Sequence, residues 1–535
     1  MTMSPPTRRT VLGATVLSAG AAILARPALA QGGRPGTLRF IPQSDLTILD
    51  PLNTTAYPTR NHGHLCWDTL YGVDDASVPQ PQLAEGHTVE DDGRTWLFTL
   101  RDGPTFHDGE KVLARDAVAS IRRWMQRDTH GQTLAARLDE IAPAGDRRFT
   151  IRLKRPFGAL LEGLAKASSY PCFIYPERFA TQDATKPVTE VVGSGPYRFV
   201  ASERVPGSLA VYRKFTSYVP TPVGQPSMVA GPKLAEFERL EWHTIPDGAT
   251  AAVAMQSREM DWWELLPNDL EAVMKGARGI KVARVDQGGI YAALRFNQLL
   301  PPFDDPAVRR AVLAAVDQSD FMQAVAGDDP SAWRAGVGYF PVGSPYASDA
   351  GMAALTRPRD LAAARAALAA SGAAGAAVTA LHATDVPAQA ATMAVGVDLL
   401  SKLGFKTDDT VMDFGALVQR RMNKAAPAKG GWNVLVALFG GSDLMTPVNN
   451  FLLRGNGADA WFGWPTAPAL ELLREQWLDA ADEGARKQVA RALQEQALTD
   501  VPFIPLGQYF YSTATRADLA GIRNGMVLPL NVKRT

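Results

Sequence analysis

His62 and His64 flank Gly63, the one place in this 535-residue chain where two imidazoles stand two residues apart. A helix splays positions i and i+2, and no third ligand stands nearby, so the pair reads as structural and not as a metal site. Asp74-Asp75 and Asp91-Asp92 are acidic pairs in turns, where solvated carboxylates are expected and paired acid–base catalysis is not. His107, in the turn Phe106-His107-Asp108-Gly109, reads as a structural hydrogen-bonder. There is no Gly-rich phosphate loop of the Walker type, no HExxH, no Gly-x-Ser-x-Gly and no Cys-x-x-Cys. No catalytic residue, resident cofactor or metal is expected. The chemistry left is binding.

Two places offer it. The polar loop Asn53-Thr54-Thr55-Ala56-Tyr57 follows an opening strand, and loops at the carboxyl ends of strands in α/β lobes face clefts. Thr55 and Tyr57 are its ligand candidates, the tyrosine by stacking or by its hydroxyl; a surface tyrosine is the alternative. Trp461-Phe462-Gly463-Trp464-Pro465 sets two indoles beside Gly and Pro. That is a rigid aromatic wall, suited to stacking or to cation–π contact with an amine, with core packing as the alternative.

Composition narrows the partners. Lys+Arg and Asp+Glu are both 55, so no basic excess draws the chain to nucleic acid or anionic membrane. Charged residues at 21% and aromatics at 8% are ordinary for a globular protein, and the length calls for two or three domains.

Residues 1–30 read as an export leader. Thr7-Arg8-Arg9-Thr10-Val11-Leu12 is a twin-arginine motif, an apolar stretch runs to Ala25, and Ala28-Leu29-Ala30 is a small-residue cleavage site before Gln31. A Sec leader with two arginines is the alternative; Arg26 near the cleavage site favours the twin-arginine route. No Cys near that site offers a lipid anchor. Without its leader the chain carries 52 basic and 55 acidic residues. Cys66 and Cys172 are the only cysteines. A disulfide between them would close a long loop worth roughly 4–5 kcal/mol in the chain-entropy model; two buried thiols, among these apolar neighbours, is the favoured reading.

The elements that must hold these residues alternate strand and helix. Thr37–Ile41 reads as a strand, with a helix from about Asn61 to Tyr71. Asp91-Asp92-Gly93 is a turn, Trp96, Phe98 and Leu100 alternate at strand period, and Asp116 opens an amphipathic helix through Ile121 and Trp124. A strand is expected at Arg148–Lys154, a helix from Asp247 to about Arg258, and another helix capped by Phe303-Asp304-Asp305-Pro306. Asp360–Ala370 reads as a helix stopped by Gly372, and Trp432–Leu438 as a strand.

The stretch Leu83–Trp124 resembles the signature of solute-binding protein family 5, the peptide/nickel/oligopeptide class of extracytoplasmic proteins that feed ABC importers. That signature reads roughly P-x-LA…DG-x-x-W-x-F-x-L-R-x-G-x-x-F-H-x-G-x-x-x-x-A-x-D-V. Gly193-Ser194-Gly195-Pro196-Tyr197-Arg198-Phe199, the Phe303–Val316 helix start and Thr499–Leu506 are similar to further family elements, so the resemblance runs from about Leu38 to Leu506. It implies an α/β fold, a two-lobed clamshell with an extra subdomain inserted in lobe I. Lobe I is expected from 36–72, 190–287 and 510–535, the insert from 73–189, and lobe II from 288–509.

The resemblance also points to a third ligand loop, Phe439–Pro447, similar to the family's G-W-x-x-D-x-x-D-P. The first Asp of that loop pairs with the ligand ammonium in peptide binders, and Asp443 falls on it, with Gly441 and Ser442 alongside. The family's Trp is here Gly440 and its second Asp is Thr446, which implies a roomier pocket. Dipeptide binders clamp the ligand carboxylate with an Arg from the second lobe, yet no Arg stands between Arg365 and Arg420. A carboxylate would have to be met by another group. The implied protein is a monomeric periplasmic substrate-binding component of an ABC importer. It would close on a peptide, amino-acid derivative or other amine-bearing solute and deliver it to an inner-membrane permease. A periplasmic sensor or chaperone-like module and a twin-arginine-exported cofactor enzyme are the alternatives.

Overall fold

The computed structural model describes residues 36–480 and 482–535, so the leader lies outside the described residues. Two large sheets define two lobes. The first has seven strands in the order Ile280–Ala283, Ser512–Arg516, Trp262–Leu266, Thr37–Ile41, Arg239–His243, Leu209–Lys214 and Tyr197–Phe199. Thr37–Ile41 is parallel to both its neighbours, and the other pairs are antiparallel. Asp247 caps the helix Gly248–Gln256 by accepting from the Thr250 N–H at 2.7 Å. That helix lies between parallel strands, and its Ala251 and Met255 pack with Ile41, Trp263, Leu266 and Ala514.

The second sheet has six strands: Trp333–Arg334, Ile504–Tyr509, Ile290–Phe296, Val434–Gly440, Ala377–Ala383 and Lys406–Met412. Every residue of Ile290–Phe296 is buried, as suits the apolar composition of a central strand, and the one charged residue, Arg295, is satisfied by backbone carbonyls. Asp305 and Asp360 cap the helices Pro306–Ala315 and Leu361–Ala370, as expected. A third, antiparallel sheet comprises Ala84–Glu90, Thr95–Leu100, Arg148–Leu153 and Leu138–Pro143. Its alternation turns Trp96, Phe98 and Leu100 inward, and Phe98 stacks on Phe149 at 4.9 Å. Truncating Phe98 to Ala would cost about 3–5 kcal/mol.

The chain passes between the large sheets twice, at 284–289 and at 510–511. Ala283 pairs with Thr513 on one side, and Ile290 with Tyr509 on the other, so the crossings lie side by side. Gly289 has φ +53°, and a Cβ there would sit 2.5 Å from the Tyr509 carbonyl oxygen. Asp286 Oδ1 accepts from the Gly288 N–H at 2.8 Å, and Gln508 Nε2 donates to the Gly288 carbonyl at 2.5 Å.

Some boundaries differ from expectation. The helix expected from Asn61 to Tyr71 spans Tyr57–Cys66: Pro58 suits the first turn, and the backbone turns extended at Trp67. Asp116 is the third residue of Ala114–Trp124, and its carboxylate reaches back to the Leu113 N–H at 2.8 Å. The Trp432–Leu438 strand is shifted to Val434–Gly440, and Thr499–Asp500 end the helix Glu483–Asp500 before the strand begins at Ile504. Among the described residues no helix is long and apolar enough to cross a membrane.

Candidate functional site

Asp443 and Tyr57, 386 positions apart in sequence, meet where the lobes face each other. The strand Val434–Gly440 delivers a short 3-10 turn, Gly441–Leu444, that carries Asp443. The turn is held against the chain crossing: the Gly441 N–H donates to the Gly289 carbonyl at 2.9 Å, and a Cβ on Gly441 would lie 2.2 Å from the Gly288 oxygen. Only glycine fits there. From the first lobe, Tyr57 opens its helix with the Arg60 guanidinium 4.1 Å from its ring centre.

The Tyr57 hydroxyl donates to Asp443 Oδ2 at 2.7 Å and accepts from the Gly440 N–H. The Ser169 N–H donates to Asp443 Oδ1 at 2.8 Å. Asp443 is 2% exposed and forms no ion pair among the described residues. A buried carboxylate held only by neutral donors keeps lone pairs free on both oxygens and gains from a cation. Burial, reinforced by Asp443, pushes the Tyr57 hydroxyl well above its ordinary pKa, so it stays a donor. Gly440 does not leave the expected room. A Cβ there would lie 2.6 Å from the Tyr57 hydroxyl, which fills the space.

Ser442 is half-buried in the same turn, and Thr55 is half-buried with no side-chain hydrogen bond among the described residues. Trp461 stands in an aromatic cluster, its ring centre 5.6 Å from Phe439, 6.0 Å from Phe451 and 5.2 Å from Phe462. The expected cation–π partner was a ligand amine. The structure supplies two of its own, with Arg295 and Arg421 each 5.5 Å from the Trp461 ring. Arg295 is a framework residue: it donates to the carbonyls of Trp461, Phe462, Leu452 and Pro502 at 2.7–3.0 Å.

Sequence reasoning missed Ser169, which acts through its backbone and so leaves no side-chain signal. Tyr170, next in the chain, has φ +57°, a left-handed conformation uncommon for a bulky residue. It missed Arg421 as well.

The histidines serve the framework. His62 Nδ1 lies 3.0 Å from the Tyr212 hydroxyl, and burial lowers its pKa to about 3. His64 Nε2 meets the Ala167 carbonyl at 3.2 Å. His107 Nε2 donates to the Gly195 carbonyl at 3.0 Å, tying the signature turn to Gly193-Ser194-Gly195. Cys66 and Cys172 are separate buried thiols.

A second set of long-range contacts ties residues 133–162, around the four-stranded sheet, to helix Pro468–Leu478 and the residues after it. Arg137, fully buried, pairs with Glu475 at 2.9 Å and Asp479 at 2.7 Å, and Arg155 pairs with the same carboxylates at 2.6 and 3.2 Å. Arg474 donates to Thr133 at 2.7 Å, and Arg486 pairs with Glu162 at 3.3 Å.

Residues 78–459 match the model of the bacterial extracellular solute-binding proteins, family 5. A probable peptide ABC transporter periplasmic-binding protein of Sinorhizobium fredii is 32% identical over 480 residues, 89% of this chain and 90% of that one. Among solved structures, a periplasmic binding protein of A. tumefaciens R10 in complex with agropinic acid superposes with a TM-score of 0.78 at 20% identity, covering 94% of this chain and 99% of that one. An ABC transporter-associated periplasmic binding protein of Helicobacter pylori in complex with the peptide STSA gives 0.77 at 19% identity, covering 94% and 98%.

Proposed function

The chain belongs to the bacterial extracellular solute-binding proteins, family 5, and as the substrate-binding component of an ABC importer we propose that it captures an amine-bearing solute against Asp443. The relative from Sinorhizobium fredii is described as a peptide transporter's binding protein, which supports a peptide or amino-acid derivative here. The observation that carries the reading is the carboxylate of Asp443: 2% exposed, between the lobes, and bonded only to neutral donors. A ligand ammonium is the cation that burial calls for.

Tyr57 and Ser169 complete the charged end, Trp461 and Phe439 form the wall beside it, and Thr55, Gly441 and Ser442 line its approach. The lobes close by bending at 284–289 and 510–511, and ligand contacts from both lobes favour the closed state that the permease recognises. Residues 73–189 form the insert of lobe I; the rest of that lobe is 36–72, 190–287 and 510–535, and lobe II is 288–509. The mature chain begins near Gln31, travels by the twin-arginine route and works in the periplasm as a monomer without catalysis.

Protein purified from its host and kept native in the mass spectrometer should carry a small mass. Stripping that ligand should raise the radius of gyration in small-angle scattering, and restoring it should lower the radius again. An unchanged radius with a saturating ligand overturns closure.

A further inference from the structure

Gln508 is a fully buried amide in an apolar strand, and a break in strand register aims it. In Ile504–Tyr509, Gly507 pairs with Ala292 and Pro505 with Ala293, so Leu506 is an extra residue on this side. Such a bulge redirects the side chains that follow it. Gly507 carries the distortion at φ +109°, where a Cβ would lie 2.6 Å from Met322 Cγ.

The Gln508 amide holds two backbone segments. Nε2 donates to the Gly288 carbonyl at 2.5 Å, and Oε1 accepts from the Val342 N–H at 2.8 Å. Only this orientation of the amide satisfies both partners. Each segment leads to one end of the turn Gly441–Leu444. At its start, the Gly441 N–H donates to the Gly289 carbonyl at 2.9 Å, and the Gly288 oxygen abuts Gly441, where a Cβ would lie 2.2 Å from it. Just past its end, the Met445 carbonyl accepts from Ser344 Oγ at 2.6 Å, two residues along from Val342. Asp443 lies between these two anchors, with its carboxylate on the Tyr57 hydroxyl at 2.7 Å and the Ser169 N–H at 2.8 Å. Bonds of that length tolerate little displacement.

We propose that Gln508 is a positioning residue for solute binding: it braces both ends of the Gly441–Leu444 turn and so sets the place of the Asp443 carboxylate. The proposal rests on the role given to Asp443 above and adds the side chain that makes that role precise. Gln508 touches no solute itself. What sets it apart from a glutamine that merely satisfies buried backbone groups is that both of its partners lead to the same turn.

The test is a double-mutant cycle in titration calorimetry on ligand-stripped protein, with alanyl-phenylalanine amide as the probe at up to millimolar concentration. Gln508→Met keeps the length of the side chain and removes both hydrogen bonds. It should weaken the probe about tenfold in the wild-type background but about twofold or less beside Asp443→Asn, where the bond it serves is already lost. Gln508→Glu can make both bonds only with its carboxyl protonated, so its deficit against wild type should shrink as pH falls from about 8 to about 5. If Gln508→Met melts too low to titrate, that pH series decides: a deficit that does not shrink overturns the proposal. Equal losses in both backgrounds, or no loss in either, also overturn it and leave Gln508 a brace of the fold alone. Asp443→Asn binding as tightly as wild type, or wild type taking no probe, sinks the amine reading itself. A weakened Asp443→Asn with an additive Gln508→Met sinks Gln508 only.

Discussion

Two contacts between distant parts of the chain, one around Asp443 and one along helix Pro468–Leu478, are built on opposite principles. Along the outer seam every charge is paired within the protein: Arg137 and Arg155 with Glu475 and Asp479, Arg486 with Glu162. Around Asp443 charges are buried but not paired, with a carboxylate on neutral donors and a guanidinium over aromatic rings. The seam's carboxylates and guanidiniums meet one another within the protein, although the Nε atoms of Arg137, Arg474 and Arg486 are left without a partner among the described residues. Under the proposed function, a solute supplies the cation that the Asp443 carboxylate lacks among the described residues. A surface that closes on itself and a surface that waits can therefore be told apart by charge satisfaction alone.

The largest break in this contrast is Asp443→Asn. A charge-assisted hydrogen bond contributes about 1.5–3 kcal/mol, so affinity for the native solute should fall on the order of tenfold to a few hundredfold in titration calorimetry. The empty variant should melt no lower than wild type, because a desolvated carboxylate is relieved. Tyr57→Phe removes the hydroxyl shared by Asp443 and the Gly440 N–H, and should weaken binding by about tenfold.

At the seam, Glu475→Gln combined with Asp479→Asn strips Arg137 of both partners. The carboxylates are 39% and 46% exposed, so solvent screens them and the effect is smaller, roughly 1 kcal/mol or a severalfold loss of affinity. The empty double variant should show a larger radius of gyration, and its affinity should respond less to added salt than that of wild type.

The smallest effect belongs to Glu264, on the cleft side of the first lobe. It accepts from Asn61 Nδ2 and the Gln43 N–H, both at 2.8 Å, and burial raises its pKa to about 7. A raised carboxyl pKa means that the folded state holds the proton between the ordinary carboxylate range and pH 7, while the unfolded state has lost it. Stability should therefore fall as pH rises across that window. Glu264→Gln should flatten the dependence, by on the order of a degree or two in Tm for a chain of this size.

Much of the framework was legible because local patterns dictate it. Trp96, Phe98 and Leu100 alternate, Asp247, Asp305 and Asp360 cap helices, and the signature turn carries His107 to Gly195. Tyr57 could be picked out by its place in a loop and Asp443 by resemblance to a family loop, but not that they bond to one another. Nothing local encodes a partner 386 residues away. The stacking of Arg421 on Trp461 and Phe462 is likewise set by the fold and leaves no local signal. The seam was invisible for the same reason as the Tyr57 contact: Arg137 and Glu475 read as ordinary surface charges until the fold brings them together.

Strand Ser512–Arg516 lies inside the seven-stranded sheet, between Ile280–Ala283 and Trp262–Leu266, although it is among the last segments of the chain. The six-stranded sheet needs only residues from Ile290 to Tyr509, so a growing chain holds all of it before the older sheet can be joined. The lobe begun first is finished last. Until its final strand is inserted the two crossings are not paired, Tyr57 has no fixed position opposite Asp443, and a nascent or C-terminally truncated chain presents half a site with nothing to close against it.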